Sequence, residues 1–108
     1  MDNYSISSFP NQETESACLI KLKGELSIQN IFAIKKNLDS EINKYKDIVI
    51  EICEVSIIDL SILQYLLSLK KSEKLLEKNF TIEFNMDEDN TELLEHAGFR
   101  NMDEFKFK

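Results

Sequence analysis

Ser61 is the residue of this chain in which reactivity and local structure coincide. It follows the apolar run of residues 48–53 and opens a Leu-rich stretch at helical spacing, where a strand gives way to a helix. Gln64, three residues on, holds the capping-box position, while Leu60 and Tyr65 have the spacing of a hydrophobic staple. On this reading Ser61 is the helix N-cap, and removing its hydroxyl costs about 1 kcal/mol. The same place suits a second chemistry. A helix N-terminus presents unpaired amides and the positive end of a dipole, so a phosphate ester there is tolerated without unfolding anything. Such an ester on Ser61 would add roughly 1.5 to 2 negative charges beside Asp59, repelling a docked partner and removing hydrogen bonds to it.

Little else in the chain suits catalysis. The one histidine, His96, sits inside a helical pattern with no nucleophile at a recognisable spacing. Gly24 and Gly98 are the only glycines, too few for a glycine-rich phosphate loop. Asp87, Glu88 and Asp89 cluster, but without EF-hand spacing they read as a solvated loop. Cys18 and Cys53 lie in strand-like apolar runs, without a Cys-x-x-Cys pattern, and are expected as free reduced thiols in a cytoplasmic protein. No catalytic residue, metal site or cofactor is therefore expected. A small hydrolase or nucleotide-binding protein is the least favoured class.

The formal net charge of −7 excludes general affinity for nucleic-acid backbones or anionic lipid. Lys70, Lys71, Lys74 and Lys78 end an apolar run, where cations favour a helix C-terminus. The opening run Met1–Pro10 lacks the pattern of a signal peptide. The apolar stretch from Ile57 to Leu69 is interrupted by polar residues and too short to span a bilayer.

The elements that must position Ser61 follow from changes of period. Residues 4–9 alternate weakly, and Pro10 to Ser16 is a polar turn. Ala17 to Leu22 is a firmer strand with Cys18, Ile20 and Leu22 on one face, closed by Gly24 and joined to the first strand as a hairpin. From Ser27, a plausible N-cap, Ile31, Ile34, Leu38, Ile42 and Tyr45 recur at helical spacing. Ile48, Val49, Ile50 and Ile52 form a nearly unbroken apolar run, the mark of a central strand buried on both faces. Ile62, Leu63, Leu66, Leu67, Leu69 and Leu76 make the apolar face of the next helix, and Phe80, Ile82, Phe84 and Met86 return to period two. Asp89 to His96 is a last helix, with Asp89 and Glu92 at capping-box spacing and Gly98 as its stop. The tail from residue 99 suits a short strand or a helical turn. The order β-β-α-β-α-β-α, in 108 residues with two glycines and one proline, predicts one α/β domain spanning residues 1–108. It would hold a mixed sheet of four to five strands packed with three to four helices and right-handed crossovers.

The run Val55-Ser56-Ile57-Ile58-Asp59-Leu60-Ser61-Ile62-Leu63 resembles the signature of STAS domains, a family that includes bacterial anti-sigma-factor antagonists. The usual form there is Asp-Ser-Ser-Gly-Leu. Leu22-Lys23-Gly24-Glu25-Leu26, the strand from Asp47, and Leu93-Leu94-Glu95-His96-Ala97-Gly98-Phe99 resemble further family segments, so the likeness covers about residues 17–100. It implies a partner-switching protein whose matching serine, Ser61, is phosphorylated by a kinase-type anti-sigma factor. Asp59, Leu60, Ser61, Ile62 and Gln64 are then the expected docking residues. Leu60 stands at the family's first Ser and Ile62 at its Gly. These two departures motivate an alternative: a non-phosphorylated STAS subunit of a lipid-transport ATPase or of a sensory complex.

Overall fold

The structure is a computed structural model that describes residues 3–96, Gly98 and residues 104–107. Ala97 and Phe99, in the last segment of the family likeness, and most of the tail fall outside the described residues. The element order is β1 (Tyr4–Pro10), β2 (Ala17–Leu26), α1 (Ile31–Ile42), β3 (Asp47–Ile58), α2 (Leu60–Lys71), α3 (Glu73–Leu76), β4 (Asn79–Asn85), α4 (Glu88–His96) and β5 (Phe105–Phe107). The strands form one mixed sheet in the order β1-β2-β3-β4-β5, with β1 antiparallel to β2 and the other pairs parallel. The expected hairpin and parallel crossovers are both present, and the tail supplies the fifth strand.

This order decides where the core lies. Every crossover steps to the next strand in the same direction, and a right-handed connection then puts each helix on the same face. Cys18, Ile48 and Phe80 stand side by side on that face, as do Ile20, Ile50 and Ile82 in the next row and Leu22, Ile52 and Phe84 in the third. All nine are buried, and they meet Ile34, Leu38 and Ile42 of α1 and Ile62, Leu66 and Leu69 of α2 in one cluster. Phe84 adds an edge contact to Phe105 and a stacked one to Phe107, which fasten β5. The opposite face carries Leu19, Lys21, Val49, Glu51, Thr81 and Glu83, none of them buried. The expectation that β3 is buried on both faces is thus corrected. It is the middle strand, but a sheet whose order never reverses has helices on one side only.

β2 and β3 both run further than their alternation suggests. Their register slips between Leu22 and Gly24 and again between Gly24 and Glu25, so β3 carries two extra residues. Glu54 takes up one slip with a positive φ of 48°, so Val55, three residues after Ile52, joins the core cluster, whereas Cys53 is buried on the Glu51 face outside it. Gly24 does not close β2. It lies within the strand at φ 96°, where a Cβ would come 2.3 Å from the Asn3 carbonyl oxygen. Past the slips, Glu25 and Leu26 pair with Ile57 and Ile58, so the latter two belong to the strand, not to the helix.

The helix ends also differ from expectation. Ser27 does not cap α1, whose N-cap is Asn30, with a side chain that bonds back to Glu25 and accepts no first-turn amide. Ser27 is buried instead, because the chain still needs one tight turn before the helix can begin. The cap of α4 is made by Asp87, whose Oδ1 accepts the Asn90 amide at 2.9 Å, in place of the expected Asp89–Glu92 box. The Leu-rich segment splits in two after Lys71, which leaves Leu76 exposed rather than on the apolar face. Gly98 follows α4 with φ 83°, the left-handed stop its position predicts.

Candidate docking surface at the start of the second helix

Asp59, not Ser61, caps α2. It has extended backbone, and its carboxylate accepts the Ser61 amide at 3.1 Å and, at longer range, that of Ile62. Both residues could have capped, but aspartate comes first in the chain, and its carboxylate reaches the two orphan amides that a cap must satisfy. Ser61 therefore stands inside the first turn. Gln64 is exposed and serves no capping box, and no staple joins exposed Leu60 to buried Tyr65. Ile58 and Leu63, both buried, occupy the staple positions instead.

The Ser61 side chain is half-buried, and its hydroxyl donates to Asp59 Oδ1 at 2.5 Å. The other carboxylate oxygen, Oδ2, accepts the amide of Ile28 in the β2–α1 loop at 2.7 Å. Burial alone would raise the Asp59 pKa. The Ser61 hydroxyl and the amides of Ile28, Ile62 and Ser61 outweigh it, so the group lies below the usual carboxylate value. Asp59 is thus a fixed anion that orients the serine oxygen. The α2 dipole favours negative charge at this end.

Around this pair lies apolar surface. Leu60 is 52% exposed, Ile57 49%, Ile28 70% and Phe32 89%. Ile57 ends β3 and the other three stand on the segments that leave the C-terminal ends of β2 and β3, the end at which open α/β sheets place their binding sites. Of the residues expected to dock a partner, Asp59, Leu60, Ser61 and Gln64 are brought to this surface. Ile62 is not. Its side chain is fully buried against the sheet, so it is a core residue, and it does not occupy the outer surface where a partner's backbone would approach.

Ile28, Phe32 and Ile57 were not expected at the site. Phe32 left a signal: it is apolar yet falls one position off the stripe of Ile31, Ile34, Leu38 and Ile42, which points it to water. Ile57 left none, since it sits in a continuous apolar run. Other surface clefts lie elsewhere, one of them between β1 and α1 beside Tyr4, Ile6, Asn37 and Glu41. Among the described residues no group of three or more His, Cys, Asp or Glu is placed to hold a metal ion, and no helix is long and apolar enough to cross a membrane.

A family model for the STAS domain matches residues 8–106. No curated protein matches the chain significantly. Among solved structures, the unphosphorylated form of the anti-sigma factor antagonist SpoIIAA superposes with a TM-score of 0.66 and 14% identity, over 96% of this chain and 88% of that one. The phosphorylated form of the Bacillus cell fate determinant SpoIIAA gives 0.62 and 14%, over 96% and 91%. An anti-sigma factor antagonist from Mycobacterium paratuberculosis gives 0.69 and 13%, over 94% and 86%. At such identities the likeness establishes a common fold.

Proposed function

The chain belongs to the STAS domain family, and on that premise we propose that it is an antagonist-type regulator switched by phosphorylation of Ser61. It acts by binding, in the cytoplasm, to an anti-sigma factor that has serine kinase activity. The observation that carries this reading is the Ser61 hydroxyl, held 2.5 Å from the Asp59 carboxylate in the first turn of α2, next to exposed Leu60 and tied through Asp59 to the loop of exposed Ile28. The unmodified surface offers a partner Ile28, Phe32, Ile57 and Leu60 to bury, with Asp59 for a cationic or hydrogen-bonding group. The partner's ATP supplies the γ-phosphoryl. A bond forms from phosphorus to Ser61 Oγ as the bond to the β-phosphate oxygen breaks, ADP leaves, and the hydroxyl proton passes to solvent. Asp59, being a weak base, orients the oxygen rather than keeping that proton. The product places a near-dianion in the middle of an apolar docking patch, and the partner dissociates.

The test is the intact mass of the protein taken from its native cell, before and after phosphatase. A phosphatase-sensitive gain of one phosphate, lost in Ser61→Ala, is expected. Its absence under every growth condition removes the switch. A second reading, a constitutive STAS subunit of a lipid-transport ATPase or a sensory complex, is favoured by Leu60, whose exposure adds permanent apolar area where the family has a serine. Affinity capture that recovers transporter ATPase subunits and no kinase-like protein would decide for it.

A further inference from the structure

We infer that Asp59 pins together the two halves of the docking surface, and that a phosphate on Ser61 frees the β2–α1 loop by displacing it. This rests on the phosphoserine reading above and adds how the modification reaches Ile28 and Phe32, residues it does not touch.

The docking surface comes from two separate pieces of chain. Ile57 and Leu60 stand on β3 and the start of α2, whereas Ile28 and Phe32 belong to the β2–α1 loop and the first turn of α1. The ladder between β2 and β3 ends where the Asp59 amide donates to the Leu26 carbonyl at 3.0 Å. Beyond that point the hydrogen bonds of the loop among the described residues are local, with one exception. The Asn30 amide turns back to the Ser27 carbonyl, and the Asn30 side chain to Glu25. The exception is Ile28, whose amide donates to Asp59 Oδ2. Ser27, at the root of the loop, has its Oγ buried with no hydrogen-bond partner among the described residues. Its hydroxyl therefore does nothing to hold the loop in place.

The two oxygens of one carboxylate thus serve different elements. Oδ1 holds α2 and the serine hydroxyl; Oδ2 holds the loop. The 2.5 Å separation of Ser61 Oγ and Asp59 Oδ1 requires the hydroxyl proton between them. Esterification removes that proton. Two acceptor oxygens then face each other with no donor, and the added group carries up to two further charges. The phosphate has a compensating place to go, since its oxygens can take the first-turn amides of α2 that Asp59 now accepts. A carboxylate rotated away from Oγ carries Oδ2 off Ile28, and the loop loses its one bond to the second half of the surface.

Phosphoserine placed at position 61 during translation tests this without any kinase, read by hydrogen exchange of the Ile28 amide in the full chain. Exchange at Ile28 should speed up at least about tenfold, as expected for losing a hydrogen bond to a charged acceptor. Asp59→Ala in the unmodified chain should match it, and the Ile50 and Ile82 amides in the sheet should stay as they were. If Asp59→Ala does not fold, Asp59→Asn should give a smaller acceleration at the same amide. An Ile28 amide that exchanges in the phosphoserine chain as in the unmodified one overturns the inference. That result leaves the native-mass experiment untouched, and a native protein without phosphate leaves this one standing.

Discussion

Replacing Ile62 by glycine would restore the residue that the STAS signature usually carries, and the structure predicts that it damages the fold. The Ile62 side chain is 0% exposed and sits in the cluster that α2 shares with the sheet. Truncating a buried isoleucine to alanine costs about 2–5 kcal/mol, depending on how far the cavity collapses. Going on to glycine in a helix adds about 0.5–1 kcal/mol. The sum is about 2.5–6 kcal/mol, a large share of the roughly 5–15 kcal/mol that holds a typical domain together, so about 4 kcal/mol is the central expectation. Urea denaturation followed by circular dichroism should show the midpoint falling by about 2 M at unchanged slope, for a slope of 1–3 kcal/mol per M. Ile62→Val, which removes one methyl, should cost about 0.5–1.5 kcal/mol. A midpoint for Ile62→Gly within about 0.5 M of the parent would mean that Ile62 does not pack as described, and the assignment of this position to the core would fall.

Two further outcomes follow from groups near the site. Asp59 has a folded pKa below its unfolded value, so its ionised form contributes stability above the ordinary carboxylate pKa, and that contribution is lost as pH falls through the folded value. Asp59→Asn should therefore be destabilised at neutral pH, by about 1 kcal/mol if its value is that of an ordinary cap, and the gap to the parent should close in acid denaturation curves. A gap that is constant with pH would refute this. Gly24→Ala should cost more than about 2 kcal/mol in the same urea assay, since the new Cβ meets the Asn3 carbonyl at 2.3 Å on a backbone with φ 96°. A neutral result would show that β1 does not lie against Gly24.

The order of elements was legible because each change of period coincides with a real element. Cys18, Ile20 and Leu22 alternate into the core, and Ile34, Leu38 and Ile42 face it from α1. What period could not show is which faces of the sheet the helices cover, since that depends on the strand order and the handedness of the crossovers. The length of β3 was hidden for a different reason. The first of its two register slips brings Val55 to the face of Ile52, three residues back, so alternation fails where the strand continues. Ser61 was found at the right helix, but its role was misjudged: Asp59 and Ser61 are both good caps, and spacing alone cannot rank them. The Asp59–Ile28 bond, like that of the Tyr65 hydroxyl to Asp39 at 2.6 Å, joins residues 26 or more positions apart and leaves no local trace.

The extra residues in β3 have a geometric consequence. Among the described residues, pairing with β4 stops at Cys53 and Asn85 and the β1 register ends at Tyr4 and Gly24, with one further bond from the Glu25 amide to the Asn3 carbonyl, yet β2 and β3 go on together to Leu26 and Ile58. Five residues of β3 reach past β4, but two are the extra residues of the slips, so the extension is about three ladder positions, roughly 10 Å at the usual rise of an extended strand. Asp59 and Ile28 therefore follow a two-stranded end of the sheet. Its Leu26, Val55 and Ile58 stay in the core cluster, and its Val55 carbonyl accepts the Asn90 side chain of α4. Strand pairs coil more steeply than broad sheets. A bulge bends its strand and steepens the local twist, so the residues at the bulge decide where that end of the sheet points. A substitution at Gly24 or Glu54, the two positive-φ residues at the register slips, should therefore change the direction in which Asp59 and Ser61 leave the sheet.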